Sequence, residues 1–261
     1  MQVFTIALMI SWVFGFFSSP PLAASTKRDV DVRAPDGVKL RATYYAGPNR
    51  GPAVLLFHQC SRNRGIWEPF ATKLADEGLS ILTVEPRGIG ESQGEQWDYD
   101  GNLDHALQYW RKNWSDDAEA AYQWLVSQPG VEKNDVGLVG GGCGAFLALL
   151  TAQRHYPAVR TIVLFSDFDD DATKTFVKDS PGLTILSVVS EQDPMSLAAA
   201  KEIHTLSKNP ANRLLSFSEK GHGFGLMEKH PELESTVVDW LKVHLPFEEP
   251  SVAAPKGDVW N

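Results

Sequence analysis

Short, largely apolar runs alternate with segments of helical spacing along most of the chain, and this alternation restricts the possible folds more than any other feature. Strands are predicted at residues 53–57, 80–84, 136–139, 161–165, 183–189 and 214–217. Helices are predicted at residues 66–77, 116–127, 145–152, 197–206 and 233–244. Repeated strand–helix–strand units form a parallel sheet with right-handed crossovers, so helices are expected on both of its faces.

The start of the domain departs from this alternation. Residues 30–33 and 39–44 flank the turn pair Asp36-Gly37, which predicts an antiparallel hairpin. The segment between residues 165 and 183 is short and leaves little room for a separate lid. The predicted fold is therefore α/β, with a mostly parallel sheet, an N-terminal antiparallel hairpin, helices on both faces and no large lid.

The two ends of the chain are predicted to lie outside this domain. Residues 3–17 are apolar but fall short of the about 20 residues that span a bilayer, and small residues follow them. We expect residues 1–24 to be a signal peptide cleaved after Ala24, so that the protein is exported to the periplasm or secreted. An uncleaved N-terminal membrane anchor is the alternative. The domain is expected at residues 25–249, followed by a loose tail at residues 250–261.

Composition narrows the kinds of partner. The 261 residues carry a net charge of −9, which disfavours nucleic acid and gives no reason to expect a specific membrane lipid. The triple glycine at residues 140–142 lacks the lysine of a phosphate-binding loop and the spacing of a dinucleotide fingerprint. No cofactor motif and no metal-ligand spacing is recognised, so we expect a small-molecule ligand and no cofactor or metal.

A glycine-rich turn at residues 140–144 joins the strand that ends at Val139 to a helix. This is the position and shape of a nucleophile elbow, G-x-S-x-G, in which the reactive residue stands between a strand and a helix. The run VGLVGGGCGAFLALLTA resembles the elbow of the α/β-hydrolase superfamily, in particular of its dienelactone-hydrolase and prolyl-oligopeptidase-like members.

Three further stretches carry the same resemblance. LLFHQC is similar to the oxyanion strand, VEPRGIGES to the Arg-Gly-x-Gly-x-Ser turn, and SDDAEAAYQWLVSQPGV to the helix ahead of the elbow. Together they cover most of the chain after residue 24. The resemblance implies an α/β-hydrolase fold with its site at the carboxyl ends of the strands.

Two registers of the elbow remain open. In the favoured one, Gly140 and Gly144 frame Gly142, so glycine takes the position of the catalytic serine. Glycine adopts the strained elbow conformation at no steric cost but provides no nucleophile. In the other, Gly141 and Ala145 frame Cys143 as the nucleophile, as in dienelactone hydrolases, which needs one more residue between strand and elbow.

The other two members of a catalytic triad are present in the chain order that the family requires. Asp193 follows a predicted strand, and His222 follows the last one. In such a triad the carboxylate fixes the imidazole tautomer, and the imidazole removes the nucleophile's proton.

The resemblance also places both cysteines at the oxyanion hole. Cys60 and Cys143 occupy the positions whose backbone N–H groups form that hole, and Gln59 adds an amide beside it. An exported protein matures in an oxidising compartment, so we expect a Cys60–Cys143 disulfide.

Two functions follow, from different classes. The first is a pseudoenzyme or ligand-binding module that lost covalent catalysis with the serine. The second is a thiol hydrolase of small esters or lactones, with Cys143 as nucleophile, His222 as base and Asp193 as its orienting acid. A third hypothesis keeps Asp193 and His222 as a base dyad that acts without a covalent intermediate.

One acidic cluster remains outside these hypotheses. It follows the strand that ends at Phe165 and is expected to be a solvated loop; its members are Asp167, Asp169, Asp170 and Asp171.

Overall fold

Eight strands form one sheet in the spatial order β1-β2-β4-β3-β5-β6-β7-β8. A computed structural model describes residues 25–246. The predicted signal peptide, residues 1–24, and the predicted tail, residues 250–261, lie outside the described residues. The strands are β1 (Thr26–Arg33), β2 (Lys39–Ala46), β3 (Gly51–Phe57), β4 (Ser80–Val84), β5 (Val131–Gly141), β6 (Val159–Phe165), β7 (Thr184–Ser190) and β8 (Arg213–Phe217).

The pairing confirms the predicted sheet. β1 and β2 form the N-terminal antiparallel hairpin, and β2 also pairs antiparallel with β4. Every other neighbouring pair, from β4 through β3 to β8, is parallel. All residues of β3, β4 and β7 are buried, as expected for central strands that helices cover on both faces.

Helices pack on both faces of this sheet, around two buried apolar clusters. One face is covered mainly by α3 and α4, and the other by α1 and α8. The helices are α1 (Glu68–Asp76), α2 (Leu103–Tyr109), α3 (Ser115–Val126), α4 (Cys143–His155), α5 (Asp171–Lys178), α6 (Pro194–Leu206), α7 (Gly225–Lys229) and α8 (Glu232–His244). Within residues 25–246, none of them is long and apolar enough to cross a bilayer.

Parallel strands that share a direction bring their carboxyl ends to one edge of the sheet. The loops after β3, β5, β6, β7 and β8 therefore meet there. A further segment, residues 85–114, connects β4 to α3 and contains α2 and a π-helical turn at Trp110–Trp114. This segment supplies aromatic side chains to the same edge.

Candidate active site

The turn between β5 and α4 consists of a single residue, Gly142. Its backbone torsions are φ +56° and ψ −121°, in the left-handed half of the map that glycine adopts without a steric penalty. A β-carbon on Gly140 would lie 2.1 Å from the carbonyl oxygen of Gly144, and one on Gly144 would lie 2.4 Å from the carbonyl oxygen of Phe57. Both positions, two residues before and two residues after Gly142, therefore require glycine.

Asp193 and His222 lie in direct contact at this edge of the sheet. His222 Nδ1 is 2.7 Å from Asp193 Oδ2. Asp193 is also the N-cap of α6, because its Oδ1 accepts a hydrogen bond from the Ser196 amide at 3.3 Å. The carboxylate is thus fixed by the helix on one side and holds the imidazole on the other.

The second nitrogen of His222 faces the elbow. A β-carbon built on Gly142 would lie 3.2 Å from His222 Nε2. A hydroxyl or thiol at position 142 would therefore be within hydrogen-bond reach of the imidazole. Because residue 142 is glycine, it has no side chain that could form a hydrogen bond with His222 Nε2.

Two backbone hydrogen bonds fix the loop after His222. The Gly223 amide donates to Ser166 Oγ at 2.9 Å, and the Phe224 amide donates to Gln59 Oε1 at 2.9 Å. Ser166 follows β6, is fully buried and has a positive φ of 53°. Gln59, predicted beside the oxyanion hole, is thereby engaged with the histidine loop. Ser166 was not predicted, because a single serine at a strand end gives no distinctive pattern.

The predicted disulfide between Cys60 and Cys143 is present. The two Cα atoms lie 5.7 Å apart, and 83 residues separate the cysteines in sequence. Cys143 is the first residue of α4 and is 2% exposed, whereas Cys60 is partly exposed. The sulfur of Cys143 is therefore bonded to Cys60 and is not a free nucleophile in this oxidised form.

His58, directly before this segment, is nearly completely buried. Burial lowers the pKa of its imidazole, so the ring is neutral at neutral pH. Its Nδ1 lies 2.8 Å from the carbonyl oxygen of Gln59, and this nitrogen therefore carries the proton. The ring therefore holds the backbone at Gln59 in place.

A cavity of about 380 Å³ opens beside the dyad and the disulfide. Much of its wall is aromatic: the ring centroids of Trp97 and Trp110 are 5.7 Å apart, those of Trp110 and Phe168 6.1 Å, and those of Phe168 and His222 5.9 Å. The other lining residues are Gln59, Cys60, Ser61, Tyr99, Leu103, Gly142, Cys143, Asp193 and Met195. The described residues of this lining include no lysine or arginine, so the cavity suits an uncharged, largely apolar group.

The expectation of a solvated acidic loop after β6 is wrong for most of its members. Asp167 is fully buried, and neither of its carboxylate oxygens has a hydrogen-bond partner among the described residues. Burial raises the pKa of Asp167 to about 8. Asp170 caps α5 by accepting a hydrogen bond from the Thr173 amide at 3.0 Å, and Asp169 is mostly buried beside Lys174. Only Asp171 is exposed.

The structure thus brings together all the site residues predicted from sequence: Gln59, Cys60, Gly142, Cys143, Asp193 and His222. Sequence reasoning missed the aromatic wall, whose residues 97–110 were given no role. In the described part of the chain, no cluster of three or more histidine, cysteine or acidic side chains could hold a metal ion.

One family profile and several known sequences are similar to this chain. The sequence profile of the dienelactone hydrolase family matches residues 41–248. A thiohydrolase of Aspergillus aculeatus is 29% identical over 119 residues, which is 44% of this chain and 34% of that protein. A polyketide transferase of Stachybotrys chlorohalonatus is 25% identical over 201 residues, which is 77% of this chain and 60% of that protein. The matched region therefore spans less than two thirds of either relative.

Solved structures share the fold. Dienelactone hydrolase from Anabaena variabilis superposes with a TM-score of 0.68 at 18% identity, covering 86% of this chain and all of that one. An esterase from Pyrococcus furiosus gives a TM-score of 0.65 at 17% identity, covering 90% of this chain and 98% of that one. These neighbours confirm the α/β-hydrolase fold expected from the sequence.

Proposed function

This chain belongs to the dienelactone hydrolase family, and from that premise we propose that it is a non-covalent ligand-binding member, a pseudoenzyme in which Gly142 occupies the place of the catalytic nucleophile. The acid and the histidine of the triad remain, together with the site cavity. The ligand is a small ester, a lactone or a similar carbonyl compound with an apolar body.

The position of Gly142 against His222 carries this proposal. A β-carbon at position 142 would lie 3.2 Å from His222 Nε2, so the hydroxyl or thiol of a side chain there would be within hydrogen-bond reach of the imidazole. The close backbone contacts of Gly140 and Gly144 support the same register. Glycine offers no atom that can attack a carbonyl or carry an acyl group, so binding without acyl transfer is the activity that remains.

The class of ligand is inferred from the lining of the cavity and from the proteins that are similar to this chain. Aromatic rings line a space of about 380 Å³, which suits a ring or a short acyl chain. Proteins similar to this chain include a thiohydrolase and several esterases, which are enzymes of carbonyl compounds. The two oxyanion N–H groups at Cys60 and Cys143 are the donors for such a carbonyl oxygen.

Labelling and calorimetry test this function together. We expect a fluorophosphonate probe to leave the protein unmodified, while methyl benzoate binds with one site per chain. Phe168→Ala should weaken that binding, because it removes one aromatic wall. Tyr122→Ala, which changes an aromatic residue of α3 outside the cavity, is the matched comparison for loss of a ring. Stoichiometric labelling that disappears in His222→Ala, but persists in His105→Ala, would overturn the proposal.

Cys143 provides a second candidate function, restricted to the reduced protein. It stands at the amino end of α4, where the helix dipole favours a thiolate. After reduction with dithiothreitol, a thiol hydrolase would cleave nitrophenyl acetate in wild type and in Cys60→Ser. The same activity would be lost in Cys143→Ser. Equal rates in all three reduced proteins would exclude this candidate.

We also propose that the protein is exported. The apolar leader and the disulfide between Cys60 and Cys143 both fit an oxidising compartment. When the protein is expressed with its full leader, we expect to find it outside the cytoplasm, with the mass of a chain whose first residue is Ser25. A membrane-bound product that retains Met1 would support the uncleaved anchor instead.

A further inference from the structure

We propose that the site binds a bipartite ligand, an apolar acyl group esterified to a sugar, with the acyl group in the aromatic cavity and the sugar in an adjoining polar cavity. This inference rests on the proposed function and extends it by assigning the second half of the ligand. Nothing in the family resemblance places a ligand in that polar cavity.

The two cavities are direct neighbours. The second, of about 870 Å³, shares Cys60, Ser61 and Trp97 with the aromatic cavity. It extends away from His222 between the segment after β3 and the glycine-containing turn after β4. We call it the polar cavity; its remaining lining residues are Arg62, Asn63, Gly65, Ile66, Gly88, Ile89, Gly90, Ser92, Gly94, Gln96 and Asp98.

The lining of the polar cavity selects for an uncharged group rich in hydroxyls. Its hydroxyl and amide side chains include Ser61, the amide nitrogen of Asn63, and Gln96, which can form hydrogen bonds with a sugar. The Ser92 hydroxyl is instead engaged within the protein, because it donates to the Glu85 carbonyl oxygen and accepts from the Arg41 amide. The only charged side chains in the described lining are Arg62 and Asp98, which have opposite signs. Arg62 also lies 3.4 Å from Glu228, so its charge is partly compensated. No net charge therefore attracts a phosphate or a carboxylate.

Trp97 stands at the junction of the two cavities. Its ring packs against those of Trp114, whose centroid lies 5.0 Å away, and Trp110 at 5.7 Å, which restrict its motion. The carbon-bound hydrogens of a pyranose face pack well against a fixed indole ring, while the hydroxyls at the sugar's edge reach neighbouring amides. Gln96 and Asp98 flank Trp97 in sequence and are exposed at this position.

The position of the oxyanion donors assigns the two halves of the ligand. Cys60 lines both cavities, whereas Cys143, Gly142 and His222 line only the aromatic one. A carbonyl oxygen held by the N–H groups of Cys60 and Cys143 lies at the boundary. One substituent of that carbonyl then points to the aromatic rings and the other, the alcohol part of the ester, enters the polar cavity.

Calorimetric titration with two matched ligands tests this assignment. Methyl benzoate fills only the aromatic cavity, and a glucose monobenzoate adds the sugar. We expect the sugar ester to bind about tenfold more tightly, which corresponds to one or two net hydrogen bonds. Gln96→Ala should reduce this affinity ratio severalfold, since it removes a hydrogen-bonding amide from an exposed position. Glu95→Gln, in the same turn but outside the polar cavity, should leave the ratio unchanged.

The outcomes separate this inference from the proposed function. Equal affinities for the two ligands would overturn the sugar assignment, while leaving the aromatic cavity as a binding site. So would a Gln96→Ala variant that weakens both ligands to the same extent. Absence of binding by both would overturn the proposed function and this inference with it. Tighter binding of a benzoyl phosphate than of the sugar ester would show an anion site instead.

Discussion

Introducing a side chain at Gly142 is the most direct test, at the scale of single residues, of the proposed role of this position. We expect Gly142→Ser to fold and to gain hydrolysis of short-chain nitrophenyl esters, because Asp193 and His222 already hold the geometry of a base. The positive φ at this position makes a side chain cost about 1–3 kcal/mol in the free energy of unfolding. Ester hydrolysis and urea denaturation measure the two effects.

Gly142→Ala is the control for that gain, since it imposes the same backbone strain without a hydroxyl. Hydrolysis by the serine variant above that of the alanine variant would establish that His222 activates the new side chain. A folded serine variant no faster than the alanine variant would show that the register or the oxyanion hole differs from the one described.

The two glycines that frame the elbow are expected to be far less tolerant. A β-carbon on Gly144 would lie within 2.6 Å of the carbonyl oxygens of both Phe57 and His58, which are backbone atoms and cannot rotate away. Gly144→Ala should therefore cost more than about 3 kcal/mol in the free energy of unfolding, or prevent folding.

Gly37→Ala is the matched comparison for this variant. Gly37 has a positive φ of 89°, whereas Gly144 lies in α4, and a β-carbon on Gly37 would meet no atom within 4 Å. Gly37→Ala should therefore lower the free energy of unfolding by only about 1–2 kcal/mol, the usual cost of a left-handed residue with a side chain. Equal costs in urea denaturation for the two variants would contradict the close approach of α4 to β3.

At the scale of elements, the connection from β6 to α5 carries a buried carboxyl group with an unusual titration. In the folded state the pKa of Asp167 is about 8, whereas the ordinary value is 3.8. Between these values the folded protein keeps a proton that the unfolded chain releases. The stability contribution of Asp167 is therefore complete below about pH 4 and decreases as the pH rises through 8, by up to about 1.4 kcal/mol per unit.

Asp167→Asn removes this titration. We expect its free energy of unfolding, compared with that of wild type, to increase progressively between pH 5 and about pH 8, since the amide stays neutral. Asp171→Asn, in the first turn of α5 and exposed, should show no such trend. Parallel pH profiles for wild type and Asp167→Asn would show that the carboxyl group is ionised or solvated in the folded protein.

The sequence predicted elements where the pattern of apolar residues was regular. β3 and β7 are wholly buried, and a central strand covered on both faces is the element that such apolar runs favour. α5 was missed because four aspartates suggested a solvated loop. Its signal was Asp170-x-x-Thr173, which forms a capping box, so one aspartate begins a helix rather than facing solvent.

The site was only partly predictable for a related reason. Asp193 and His222 follow strands in a fixed order, so their meeting depends on topology alone. The aromatic wall depends on how residues 85–114 cross the sheet edge, and the chain there has no regular period. The position of Ser166 depends on its positive φ, which cannot be predicted from a serine in the sequence.

The whole molecule is tied across its sheet by the Cys60–Cys143 bridge. The bridge spans 83 residues and joins the ends of two neighbouring central strands, β3 and β5. By restricting the unfolded chain it should contribute roughly 4–5 kcal/mol to stability. The Cys60→Ser, Cys143→Ser double variant should therefore unfold at lower urea concentration than the oxidised wild type.

Thiol titration of the denatured, unreduced protein checks that bridge directly. We expect no free thiol per chain after export. Two free thiols would refute the bridge and favour the thiol hydrolase. Equal unfolding midpoints for the oxidised wild type and the double variant would show that the bridge has no stabilising role.

The tryptophans give the molecule an optical property. Of the eight in the sequence, Trp97 and Trp110 line the aromatic cavity, and Trp114 stacks on Trp110 with ring planes only 11° apart. Coupled indoles that touch a binding cavity share their excitation, so the emission of several rings responds when one of them meets a ligand. The protein therefore contains its own fluorescent reporter, and an unlabelled sample can be screened against a library of compounds by its intrinsic emission.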